Sequence, residues 1–177
     1  MWRFKELKRS VINIWKWLPI IWRDRDWDHF YIYQILEFKL RKQGNYISTM
    51  DRHTRAQEDA RNMLICANLI AKVKDGYYED EYVNYYESKF NFIPIDDKPG
   101  FNELEIDVIS EDFDSYFKKY PTWYKRAINH IEKNKDKFTK DKNDIIFVAM
   151  IMSQLRQEKA KELVFKIISD KIEYWWD

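Results

Sequence analysis

Only seven of the 177 residues are glycine or proline, three and four respectively. A β-sandwich or barrel needs turn residues every 8–12 positions, roughly three times what this chain supplies. Gly44, Gly76 and Gly100 are the only glycines, so Gly-rich phosphate loops are excluded as well. The chain must therefore be mostly helical. Its length suits one domain with a sizeable core. The expected fold is all-α, a single-domain bundle of five to seven helices over residues 1–177. The loop Asn91–Gly100, with Pro94 and Pro99, is the one plausible internal boundary.

Helical spacing places the elements. Phe4, Leu7, Val11, Ile14, Trp15 and Leu18 form one stripe over residues 2–18, with Arg3, Lys5, Lys8, Arg9 and Lys16 largely off it and Pro19 marking the end. A second helix should start at Asp24 or Asp26 and stop before Gly44; it is apolar almost all round, which predicts a central position. A third spans about Thr54 to Asp75, with Gly76 at its C′ position. Tyr77–Phe90 reads as a short aromatic helix. Leu104, Ile106 and Val108 alternate with acids, which permits a short strand. Pro121 can open a helix, and a long last helix runs from about Asn143 to Trp176.

The 31 aromatic residues exceed what one small core needs. Trp15, Trp27, Tyr31, Phe38 and Trp123 read as core. Tyr77, Tyr78, Tyr82, Tyr85 and Tyr86 are too dense for one helix to bury, which suits a subunit seam or base stacking. Cys66, alone among apolar neighbours, reads as a buried thiol in a reducing compartment.

No apolar run approaches the ~18 residues of a membrane span, and no cleavage site follows the N-terminal stretch. A cytoplasmic location is expected. Segment 2–18 is basic and amphipathic enough for a membrane surface, but a globular core needs its apolar face, so no membrane partner is expected. The net charge of +1 argues against coating DNA, yet it conceals segregated blocks. Residues 75–117 carry −11 and residues 118–142 carry +6, while residues 1–25 carry +5. Such blocks can pair internally, pair between subunits, or leave a local basic pocket.

The densest polar cluster is Trp22-Arg23-Asp24-Arg25-Asp26-Trp27-Asp28. As a calcium loop it fails, because His29 and Ile35 stand where Gly and Glu are required. Helix capping and Arg–Asp pairing account for most of it; the functional alternative is phosphate contact by Arg23 or Arg25, whose guanidinium offers a bidentate fork. Arg52, His53, Arg55 and Arg61 cluster near the start of the third helix, where free N–H groups suit an anion, though a solvated face would look the same. His29, His53 and His130 match no zinc spacing, and no Ser or Cys has a nucleophile context. No catalytic residue, metal or cofactor is expected, and the chain reads as a non-enzyme.

Three stretches carry a resemblance. They are Ile21-Trp22-Arg23-Asp24-Arg25-Asp26-Trp27-Asp28 with Tyr31, Ile35-Leu36 and Lys39-Leu40; Arg61 and Ile65 through Leu69-Ile70 into Asp75-Gly76-Tyr77-Tyr78; and Leu163-Val164-Phe165-Lys166 ending in Tyr174-Trp175-Trp176-Asp177. Together they resemble a widespread family of small bacteriophage proteins, some of which act as sponges for the cyclic nucleotide signals of bacterial antiphage immunity, the anti-CBASS type. Residues 79–140 fall outside the match. The resemblance implies an all-helical homo-oligomer, a dimer or tetramer, that sequesters a cyclic oligonucleotide in a pocket between subunits. Arg23, Arg25, Lys39, Arg52, Arg55 and Arg61 are then the candidates for phosphate, and Trp27 and Tyr31 for base stacking. The alternative is an interaction protein that inhibits a host protein through its acidic and aromatic surface.

Overall fold

The computed structural model describes every residue except Met1, Asp24, Asp26, Arg52, residues 96–99 and Asp177, together with the side chains of Trp2, Arg3 and Trp176. Six α-helices lie among the described residues: α1 (Trp2–Ile21), α2 (His29–Met50), α3 (Ala56–Lys74), α4 (Phe113–Lys119), α5 (Pro121–Lys133) and α6 (Ile145–Lys171). The chain is mostly helical with a long C-terminal helix, as its composition requires. No described helix is long and apolar enough to cross a membrane. The chain divides into two compact units, residues 1–75 with 161–177, and residues 76–160. Segment 91–100, expected as the internal boundary, lies inside the second unit.

In the first unit α2 and α3 form an antiparallel pair. Glu37 on α2 meets Lys74 at 2.9 Å, while Arg41 bonds Asn68 at 2.8 Å. Gly44 does not end α2, which continues to Met50; it is where the two helices cross. A Cβ there would stand 3.2 Å from the Ala60 carbonyl oxygen, 3.2 Å from Leu64 Cγ and 3.3 Å from Met63 Cβ. Glycine is used for this close approach despite its cost inside a helix. The turn at Met50 is closed by Asp51, left-handed at φ 43°, its N–H bonding the Ile47 carbonyl at 3.0 Å. Behind the crossing lies a core of Leu40, Met63, Cys66, Ala67, Ile70, Val164 and Trp175. Burial pushes the Cys66 thiol up to about 11, which keeps it protonated and inert.

Several expectations for this unit are corrected. Pro19 sits inside α1, two residues before its end, and the helix runs past it, with Trp22 N–H still reaching the Leu18 carbonyl at 2.9 Å. Asp28 caps α2, accepting from Phe30 N–H at 2.9 Å; the Asp24 and Asp26 caps lie outside the described residues. The second helix is not central: Leu40 and Gly44 are its buried residues, and Ile32 is exposed. Nor do Trp15 and Trp27 enter the core, since both are exposed. The stripe Phe4, Leu7, Val11, Ile14, Leu18 is exposed too, because α1 meets α2 through Trp17, whose ring lies 4.6 Å from Phe38. The core therefore does not use the face that was to keep α1 off other surfaces.

The second unit opens at Gly76, whose φ of 66° suits glycine and whose Cβ would run into the Asp80 carboxylate. The aromatic helix expected over Tyr77–Phe90 is a 3-10 turn, Glu81–Tyr85, followed by strand β1 (Tyr86–Pro94), antiparallel to β2 (Asn102–Glu111). Phe90 and Phe92 alternate with polar residues at period two and pair across to Ile106 and Leu104, so strand pairing prevails. Tyr82, Tyr85 and Tyr86 pack on a core of Phe113, Tyr116, Ala127, Ile131, Phe147, Val148, Ala149, Ile151 and Met152. Of the acidic block, Glu81 is buried. Its carboxylate accepts from Lys119 Nζ at 2.8 Å, Tyr120 Oη at 2.8 Å and Arg156 Nη1 at 2.5 Å. Arg156 also donates to Tyr116 Oη at 3.1 Å and lies 3.8 Å over the Tyr120 ring; Tyr116 Oη is 2.6 Å from Ser153 Oγ. Burial pushes the Glu81 carboxyl up, but the hydrogen bonds from Lys119, Arg156 and Tyr120 outweigh it and hold the group below its ordinary value.

Two stability tests follow from these geometries. Gly44→Val should destabilise the first unit by about 1–3 kcal/mol through overpacking, read as a lower urea midpoint; an unchanged midpoint contradicts the close crossing. Glu81→Ala leaves Arg156 buried without its carboxylate and should cost the second unit roughly 3–5 kcal/mol. With its folded pKa depressed, Glu81 stabilises above its ordinary 4.5, and that contribution is lost as pH falls through the folded value. Acid should therefore weaken the native chain more than Glu81→Gln, and equal acid sensitivity would refute the assignment.

Candidate functional site

The basic residues of α1 that lie off its apolar stripe recur at helical steps: Lys5, Lys8, Arg9, Lys16. On α2, Lys39, Lys42, Gln43, Tyr46, Thr49 and Met50 follow the same period. The two rows face each other across a groove of about 740 Å³, within the usual range for small-molecule sites. Ile12, Asn13 and Asn45 complete its walls. Six cations line it, and among the described residues no carboxylate does. Arg41 and Lys74, by contrast, are matched with Glu37 on the α3 side of α2.

Lys42 sits at the centre of this charge. Its Nζ donates to Asn13 Oδ1 at 2.9 Å and lies 5.8 Å from the Trp17 ring centroid, so α1 and α2 meet through it. Partial burial, with the nearby charges of Lys16, Lys39 and Arg9, lowers its pKa. A bound anion would reverse that repulsion. Gln43 Nε2, also at the groove, is a buried donor that finds no acceptor among the described residues. The site thus offers point charges, spare donors and an apolar edge of Ile12, Tyr46 and Met50.

The residues singled out from the sequence fall unevenly around it. Lys39 lines the groove. Arg23 and Arg25 are exposed between α1 and α2, and Trp27 is 83% exposed just before α2. Tyr31 is half-buried, its ring edge-on to Phe30 at 5.5 Å. Arg55 pairs with Glu58 at 3.0 Å, and His53 lies 3.2 Å from the buried Asp59, so part of that second basic group is balanced within α3's first turns. Arg61 is exposed on α3, and Arg52 lies outside the described residues. Of the described residues among these, Arg23, Arg25, Trp27, Tyr31, Arg55 and Arg61 do not line the groove. Lys5, Lys8, Arg9, Lys16 and Lys42 were passed over because off-stripe cations look like a solvated face; their recurrence at i, i+3 and i+4 on two consecutive helices was the available signal. Among the described residues no cluster of His, Cys, Asp or Glu could hold a metal. No family model, curated protein or solved structure matches this chain.

Proposed function

We propose that this chain is a phage-encoded binding protein that captures a small multiply phosphorylated ligand, of the cyclic oligonucleotide class used in bacterial antiphage signalling, in the groove between α1 and α2. The supporting observation is a groove of about 740 Å³ lined by six cations and, among the described residues, by no carboxylate. Lysines offer point-charge contacts to phosphates, while Tyr46, Met50 and Ile12 present apolar surface against which a base can rest. The cyclic nature of the ligand comes from the resemblance of the Trp–Asp motifs to sponge proteins. Sequestration needs no bond cleavage, so a site without nucleophile or general base suffices. The cations of this groove come from one chain, and a homo-oligomer that places the ligand between subunits remains part of the proposal.

A second reading is favoured by the hairpin. Glu103, Glu105 and Asp107 alternate along β2 onto one face, and every residue of β2 is exposed. Such a face suits a basic host protein.

One experiment separates the two. Melting the purified chain with a panel of cyclic di- and trinucleotides should reveal a ligand that, at about 100 times its dissociation constant, stabilises by ~2.7 kcal/mol. Lys39→Ala/Lys42→Ala should abolish the shift without lowering the unliganded midpoint by more than a few degrees. Added salt should weaken binding steeply, and the ligand should be recovered intact after denaturation. A flat panel with one stoichiometric host protein in a pull-down supports the second reading, and a hydrolysed product makes the chain an enzyme.

A further inference from the structure

The apolar stripe of α1 obeys a stricter rule than amphipathicity. Phe4, Leu7, Val11, Ile14, Leu18 and Ile21 are spaced 3, 4, 3, 4, 3, the a/d alternation of a coiled-coil seam sustained to the end of the helix. All six are exposed, between 40% for Leu18 and 80% for Phe4, and Trp15 and Trp22 beside them are 69% and 80% exposed. Taking ~150–250 Å² for each fully exposed large side chain, the stripe shows on the order of 1,000 Å² per copy. That exceeds the few hundred Å² a monomer ordinarily leaves bare. Half of it buried on each of two copies reaches the ~1,000 Å² that a biological interface should clear.

We infer that α1 is the homodimer seam, two copies pairing antiparallel about a two-fold axis near residues 12 and 13. With that axis every a position meets a d position: Phe4 the partner's Ile21, Leu7 the partner's Leu18, Val11 the partner's Ile14. No polar residue enters a layer. Charge selects the direction. Parallel pairing would set Lys8, on the flank of the stripe, at the same level in both copies, whereas antiparallel pairing sends the two lysines to opposite ends. A lipid surface fits less well, because at 100° per residue Lys5, Arg9 and Lys16 lie roughly opposite the stripe, turned into the groove with α2 and away from anionic headgroups. The seam and the groove thus occupy different faces of one helix, and a dimer carries two grooves.

The inference deepens the proposed homo-oligomer but does not rest on any ligand, so it is tested without one. Light scattering of the purified full chain at micromolar concentration should give twice the 22.0 kDa chain mass. Leu7→Glu/Ile14→Glu places four carboxylates in the dimer seam and should weaken association at least ~100-fold, with unchanged helical circular dichroism because both side chains are exposed within the chain. For direction, mixed single variants Val11→Cys and Ile14→Cys should cross-link to each other faster than either does to itself, Cys66 being buried and unreactive. A monomeric native chain, a dimer indifferent to the two glutamates, or a monomer that floats with anionic vesicles would each overturn the seam. Faster Val11→Cys self-cross-linking would overturn its direction.

Discussion

The first unit depends on a contact too close for any side chain. Gly44 lets α2 approach the Ala60 carbonyl and the Met63 and Leu64 side chains of α3, and this crossing fixes which face of α2 is spent on the core. At 100° per residue Lys42, Tyr46 and Thr49 lie on the opposite side of α2 from Gly44. The row of groove residues is turned outward because the small residue is turned inward. Ion pairing follows the same division: Glu37 takes Arg41 and Lys74 on the α3 side, while the lysines toward α1 face one another.

That division explains how a chain of net charge +1 can hold a strongly electropositive site. The charges are sorted by segment before they are sorted in space. In the second unit the sorting is used for stability: the acidic segment contributes Glu81 and the basic segment Lys119, and Arg156 joins them under the rings of Tyr120 and Tyr78. Burial pushes the pKa of such a carboxyl up; three donors outweigh it and hold it below its ordinary value. Among the described residues no carboxylate lines the groove, and the charges of Lys16, Lys39 and Arg9 act on Lys42 to lower its pKa. The same residue types therefore pair in the core of one unit and, in the other, line an open groove.

Helix content was legible because scarce glycine and proline leave a chain few other folds. Pro121 at the start of α5 and Gly76 after α3 were read correctly, since each has a local backbone reason to stand there. Gly44 misled, because a glycine signals a helix end only where tertiary packing does not use its missing side chain, whereas Pro19 marked the end of α1 to within two residues. Tyr77–Phe90 misled for another reason: dense aromatics fit either period, and the cross-strand partners Leu104 and Ile106 that decide the matter lie more than ten residues on. At the site, arginines near tryptophans drew attention as the chemically richer groups. The plainer lysines of α1 and α2 acquire meaning only once two helices are placed face to face.

The measurement that tests this account most directly is the NMR titration of the lysine side-chain amines, free and with a cyclic dinucleotide. Lys42 should titrate below the ordinary lysine range in the free protein and move upward when ligand binds, with Lys8 and Lys39 signals shifting alongside it. An ordinary titration for Lys42, or ligand shifts that appear on lysines of residues 76–160 and spare the groove, would contradict it.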